Sequence, residues 1–539
     1  MRQSNAPLAE PVVDESRTHS GSITSSCPGA TPDPTGVRER VPLAPRFPVN
    51  NVGWNVFKNS AAQVAGRVFM ALLRLVIAGI IVRTYDRGMF GEYSLVFGVL
   101  SIADWLVDFG TVDVFVREIC REPEHAPRLL RLLTAAKIVQ VPAAFATLTI
   151  ILTALRYPTR VVEAGLLGGA NLIFFGGVLV YRVIFRATLT IEREVLAELL
   201  SVVAIVPLIF LVCKSGGGLI ALVSCHVFSR AMFLGICFVF GKKQFKPSIQ
   251  GVTWQGVAWG MRTSAAIGVI GFLVGGYETL DILLLSKLGG FSQLAYYASA
   301  QRLIWPLLMA LSAVAAAFYP VIASYWPHSR SQFEGTCQRG LDTVLLLTGF
   351  AVCSLIAGAN FFMGLLGPDL VSGARVLKVL AVLCFVKAIT STVAPVLYVV
   401  KAQKQALQFI AFAVVMKGIV IAALAPRFGY MGVAFGAVAV ESLFATVPAV
   451  FIFQSRTGYR LRWNVPLKVA GIVVMAVVVP RFFVGSGGLA AACIAPALYV
   501  SLAFLFGAIR PSELLSLLKW KTGEAKAGSE AFSRGEAGN

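Results

Sequence analysis

Apolar runs of about twenty residues recur along nearly the whole chain, and each is long enough to cross a bilayer as one helix. They fall at roughly 56–83, 88–115, 131–155, 162–186, 195–213, 217–240, 264–288, 294–325, 340–366, 373–400, 405–425, 429–453, 465–484 and 487–509, about fourteen in all. In hydrocarbon every backbone polar group must find a partner within the protein, and runs this long do so as helices rather than barrel strands. The expectation is an all-α, polytopic membrane protein. With 57% hydrophobic and only 14% charged residues, and a mean hydropathy of +0.76, a water-soluble domain is excluded. Residues 1–50 are rich in Pro, Ser and Thr and carry no apolar run, so they read as a disordered tail rather than a cleaved signal. A second tail is expected at 511–539.

The basic residues between the runs set the orientation. Arg117, Arg121, Arg128, Arg131, Arg182, Arg186, Arg193, Lys242, Lys243, Lys246 and Arg262 fall in even-numbered loops. Later even loops add Arg330, Arg339, Lys401, Lys404, Arg456, Arg460, Arg462 and Lys468. Odd loops hold about nine basic residues against about nineteen, which places the even loops and both termini in the cytoplasm. The formal net charge of +20 is spread in these short clusters, the pattern of membrane topology and not of a nucleic-acid surface. Nine cysteines are scattered singly with four histidines, so neither a metal site nor a disulfide framework is expected, and no motif calls for a cofactor. No loop is long enough for a soluble catalytic domain, which argues against an enzyme.

Charges inside the spans carry the functional signal. Gly268, Gly271, Gly275 and Glu278 follow at steps of three, four and three, giving a small-residue face on which a neighbouring helix packs closely, with Asp281 one turn on. Span one carries Ser60, Gln63, Arg67 and Arg74 on one face, and span two carries Ser94, Ser101, Asp104 and Asp108. Lys137, Arg302, Lys387, Lys417 and Glu441 interrupt other runs. Each isolated charge at mid-bilayer costs roughly 2.5–3.5 kcal/mol, so several on separate helices predict a shared polar cavity. Cations slightly outnumber acids, which predicts a cationic lumen and an anionic passenger. Prolines at 142, 207, 306, 320, 395 and 448 permit kinks. MFGEYSLVFGVL at 89–100 resembles QLAYYASAQRLI at 293–304, which points to an internal repeat. Aligning Tyr93 with Tyr297 sets Arg74 opposite Glu278, and predicts that these two pair across the lumen. The expected plan is an N-lobe at 55–241, a linker at 242–261, a C-lobe at 262–455 and a helix pair within 456–510.

Four blocks carry a family resemblance: FGEYSLVFGVLSIADWLVDFGTVDVFVREICR at 90–121, YETLDILLLSKLGGFSQLAYYASAQRL at 277–303 with AFYPVIAS at 317–324, LLGPDLVSGARVLKVLAV at 365–382, and RFGYMGVAFGAVAVES at 427–442. In this order they resemble the polysaccharide-transporter branch of the multidrug/oligosaccharidyl-lipid/polysaccharide exporter superfamily, the O-antigen flippases. The resemblance implies two pseudo-symmetric six-helix lobes plus a C-terminal pair, moving undecaprenyl-diphosphate-linked oligosaccharide across the bacterial inner membrane. It implies lumen arginines at Arg67, Arg74 and Arg302 and lumen acids at Glu278 and Asp281. With Lys137, Lys387 and Lys417 the cations form the candidate substrate-binding set; Asp104, Asp108, Glu278, Asp281 and Glu441 form the set for coupling to H+ or Na+. The implied partners are a polysaccharide polymerase and a chain-length regulator. The long N-terminal tail and the acidic pair of span two depart from the family pattern. Competing readings are a drug/cation antiporter of the same superfamily, a membrane-embedded glycosyltransferase or polymerase, and a non-transporting assembly subunit.

Overall fold

A computed structural model describes residues 52–484 and 488–508, with side chains at 66–480 and 488–508. The expected tails at 1–50 and 511–539, and the side chains of Ser60 and Gln63, lie outside the described residues. All regular elements among the described residues are helical. The first eight α-helices are α1 (Val52–Thr84), α2 (Arg87–Asp108), α3 (Thr111–Arg121), α4 (Ala126–Ala154), α5 (Thr159–Gly168), α6 (Ala170–Ala187), α7 (Ile191–Lys214) and α8 (Leu219–Gly241). They are followed by α9 (Trp254–Leu288), α10 (Phe291–Tyr325), α11 (Arg330–Ala357), α12 (Ala359–Leu366), α13 (Ala374–Val399), α14 (Gln403–Val440), α15 (Val447–Thr457), α16 (Asn464–Val484) and α17 (Leu489–Leu505).

Local chemistry explains the breaks. Asp86 caps α2 by accepting from the Gly88 and Met89 amides. The same helix ends where Phe109 and Gly110 both turn left-handed, at φ 42° and 69°. The span expected at 88–115 is therefore two helices, and α3 is strongly amphipathic with Val112, Val114, Phe115 and Ile119 buried. Residues 403–457 form an apolar helical stretch of 55 residues, too long for one crossing. It folds back at Gly429, where φ is 56°. A Cβ added at Gly436 would lie 3.3 Å from Ile421 Cγ1, so the two arms lie side by side. Between α14 and α15 the chain passes through a π-helical turn, Glu441–Thr446, just before Pro448, whose missing N–H already breaks the ladder.

Taking α2 with α3, α5 with α6 and α11 with α12 as single crossings, and α14 with α15 as two, the described residues form fourteen crossings. Equivalent crossings pack alike in the two halves. The first meets the fifth (α1 on α7) as the seventh meets the eleventh (α9 on α14). The third meets the fourth (α4 on α6) as the ninth meets the tenth (α11 on α13). Helices α16 and α17 pack on each other and on α11. Large apolar side chains point outward, Phe451, Leu467 and Leu505 among them at about 70% exposure or more. A lipid bilayer is the solvent in which that surface is stable. The protein is a multi-pass membrane protein.

The small-residue face of α9 does what its spacing predicted. Gly268 receives Phe109, and Gly271 and Gly275 receive Trp105, closing α9 against α2. At the ends of the helices away from the start of α1, the two halves are clasped. Arg83 donates to the Leu365 carbonyl at 2.8 Å, and Arg87 donates to the Tyr296 hydroxyl, which Ser372 also reaches at 3.0 Å. Tyr157 bonds Ser286 at 2.7 Å, and Lys287 sits 3.8 Å over the Tyr157 ring. On the other side α1 and α10 part around a cavity.

Candidate functional site

The cavity measures about 960 Å³ and lies between α1, α9, α10, α13 and α14. Its charged wall is built from Arg67, Glu278, Lys387 and Glu441, with Tyr277 and Trp305 beside them. Lys387 donates to Glu278 and stands 3.9 Å from Glu441. Glu441, the first residue of the π turn, accepts from the Tyr277 hydroxyl at 2.9 Å and from Thr390 at 3.0 Å. Behind this wall the buried pair Lys417–Asp281 closes at 2.9 Å, and Tyr297 donates to Asp281 at 2.6 Å. Lys417 also donates to the Tyr277 carbonyl at 2.6 Å and lies 4.1 Å from the centre of its ring. Three carboxylates thus share two ammonium groups in one bonded network. If all are ionised, the network is one positive charge short, and a single bound H+ or monovalent cation would neutralise it.

The remaining sequence candidates lie elsewhere. The predicted Arg74–Glu278 pair does not form: Arg74 bonds Glu198 of α7 at 2.8 Å, and Glu278 is held by Lys387. Asp104 pairs with Arg230 at 3.1 Å, away from the cavity. Lys137 is buried and satisfies the end of α2, donating to the Val107 carbonyl at 2.6 Å, to Thr111 at 2.6 Å and to Gln140 at 3.0 Å. It does not line the cavity. Asp108 lies beside it with one carboxylate oxygen buried and without a hydrogen-bond partner. Arg302 sits at the seam, its guanidinium 4.5 Å from the Phe90 ring centre and bonded to Ser94 at 3.2 Å. No carboxylate pairs with Arg302 or with Arg67 among the described residues. The expected cationic lumen needs correction as well. Most of the cavity wall is apolar, and its one lysine, Lys387, is paired with Glu278. Sequence reasoning missed Tyr277, Tyr297, Thr390 and Trp305. Thr390 follows Lys387 by one helical turn and Tyr277 precedes Glu278, so position alone could have flagged both.

The profile of the family described as polysaccharide biosynthesis protein matches residues 56–326. The chain belongs to this family. Among solved structures, the fold is similar to the lipid II flippase MurJ in an inward closed conformation, with a TM-score of 0.68 at 13% identity, spanning 82% of this chain and 98% of that one. It is also similar to a multidrug resistance MATE family transporter of the MOP superfamily. The inward-facing form gives a TM-score of 0.59 at 15% identity, over 74% and 98% of the two chains. The outward-facing form gives 0.54 at 16%, over 75% and 96%. No curated protein matches the chain. The family member thus shares the helical fold of these solved structures.

Proposed function

We propose that this family member flips an undecaprenyl-diphosphate-linked oligosaccharide across the bacterial inner membrane for cell-surface polysaccharide assembly. Both termini then face the cytoplasm, and the clasped ends of the helices face outward. The observation that carries the reading is Arg67: a guanidinium lining a membrane-embedded cavity and in no ion pair among the described residues. A lipid diphosphate supplies that partner, and Arg302 at the seam offers a second unpaired guanidinium on the path between the halves. The three-carboxylate network is the proposed coupling element, taking up H+ or Na+ as the cavity changes sides. A polymerase and a chain-length regulator would receive the product.

Reconstituted transport of a lipid-linked oligosaccharide in proteoliposomes tests this. Arg67→Ala removes a charge-assisted contact of about 1.5–3 kcal/mol, so transport is expected to fall by one to two orders of magnitude at unchanged protein abundance. Full transport in Arg67→Ala would leave the diphosphate without its assigned partner. An organic-cation antiporter is the second reading, supported by the apolar wall and by Glu278 and Glu441 in it. Uptake of a lipophilic cation against a proton gradient, with no glycan transport, would decide for it.

A further inference from the structure

Among the described residues, Trp305 is the one large aromatic side chain of the cavity wall with an open face. It is 44% exposed, whereas Tyr277 and Phe409, which line the same wall, are buried. No other ring or cation stacks on the indole among the described residues. Beside it lies an acceptor that the protein leaves unused. Glu278 is bonded to Lys387 through one carboxylate oxygen, and its side chain is 29% exposed, so the second oxygen is open to an occupant. At about 1.5 Å per residue, Glu278 stands about 15 Å from the clasped end of α9, Trp305 about 21 Å from that of α10 and Arg67 about 25 Å from that of α1. An occupant entering from the open side thus meets Arg67 first, then Trp305, and the carboxylates last.

An open indole face in a water-accessible cavity is stabilised by an apolar surface laid on it. A pyranose ring supplies one. Its C–H face meets the negative face of the indole, and the hydroxyls around its edge donate to an acceptor such as Glu278. We propose that Trp305 is the platform for the sugar ring joined to the diphosphate, and that the acidic network beside it admits a neutral sugar there and rejects a uronic acid. This rests on the flippase reading above, with Arg67 on the diphosphate, and adds which sugar the protein reads. Arg67 and Trp305 lie within about one helical turn of each other along the helix axes, so a diphosphate and the ring bonded to it reach both. The network sets the sign of the selection. With three carboxylates to two ammonium groups it carries a net negative charge when ionised, and none once it has taken up a proton or a monovalent cation. In neither state does it offer positive charge to a sugar carboxylate, and a carboxylate left unpaired against a largely apolar wall is costly. A neutral ring incurs no such cost.

The test measures binding to the full-length protein in lipid nanodiscs of the methyl, glucosyl, N-acetylgalactosaminyl and glucuronosyl diesters of geranyl diphosphate, with tetraphenylphosphonium as the cationic probe. All four diesters share the chain and the charge of the diphosphate and differ only in what it carries. At least one neutral sugar diester is expected to bind about tenfold more tightly than the methyl diester, through stacking and the apolar area it covers, and the glucuronosyl diester no more tightly than the methyl one. Trp305→Leu, which keeps apolar bulk without a ring, is expected to bring the ratio of neutral sugar to methyl diester to about one, and Trp305→Phe to retain most of it. Equal affinity for all four diesters, a glucuronosyl diester that gains as much as the neutral ones, or a gain that survives Trp305→Leu overturns the assignment. Arg67→Ala weakening all four in that case leaves the flippase reading standing. Binding of the cation with no binding of any diester overturns both. Should the Trp305 variants fail to fold, the neutral and acidic diesters on the unaltered protein still decide.

Discussion

Lys387→Met is expected to abolish transport and to destabilise the protein by about 3–5 kcal/mol, the cost of stranding buried charge. Among the described residues Lys387 is the one cation that pairs with both Glu278 and Glu441, and it lines the cavity while doing so. Removing it leaves three carboxylates against Lys417 alone, in a site where water replaces the lost contacts poorly. The double variant Lys387→Met with Glu278→Gln removes one charge of each sign. It is expected to recover most of the stability, measured by thermal unfolding in detergent, and none of the transport. A double variant that transports would reduce the pair to a structural tie between α9 and α13. A single variant that is as stable as the parent would mean that the network is already protonated and needs no cation.

The membrane fold was legible because twenty apolar residues have few alternatives in water or lipid, and the count of crossings followed from length alone. Boundaries were less so. Helix α9 begins at Trp254, ten residues before the apolar run that revealed it, because Gln255, Gly256, Gly260 and Arg262 interrupt the apolar pattern of its first turns. The break at Phe109 was invisible since neither Phe nor a single Gly ends an apolar pattern. Partner choice was the harder problem. Arg74 and Glu278 occupy related places in the repeat, and that relation suggested a bond between them. The packing instead keeps each half's charges at home. Arg74 on α1 reaches Glu198 on α7, and Asp281 on α9 reaches Lys417 on α14. These are equivalent helix pairs with the signs exchanged. The repeat was therefore readable in the charges, but its consequence was an ion pair within each half and not a bridge between them. Sequence spacing reports which residues share a face; only the packing angle of the next helix decides whom that face meets.

Gly91→Leu is expected to eliminate transport by preventing closure of the outer side. A Cβ on Gly91 would lie 2.0 Å from the carbonyl oxygen of Phe291 and 2.9 Å from its Cα, closer than atoms tolerate, and backbone cannot swing aside as a side chain can. The contact joins the start of α2 to the start of α10, beside the Arg87–Tyr296–Ser372 cluster that clasps the same ends. Because Gly91 has helical φ in the body of α2, the substitution costs nothing in local conformation, and helix propensity favours Leu. Its whole effect falls on the approach of the two halves. Population arithmetic then sets the size: a clash of about 5.5 kcal/mol in one state is enough to move a 99:1 equilibrium to 1:99. The variant is therefore expected to fold, to reach the membrane at normal abundance, and to rest with the clasp open. In a background without other cysteines, Tyr296→Cys should react with a membrane-impermeant thiol reagent applied from outside only when Gly91→Leu is also present. Equal reactivity with and without Gly91→Leu would show that this seam is no gate, and normal transport in Gly91→Leu would show that it never needs to close.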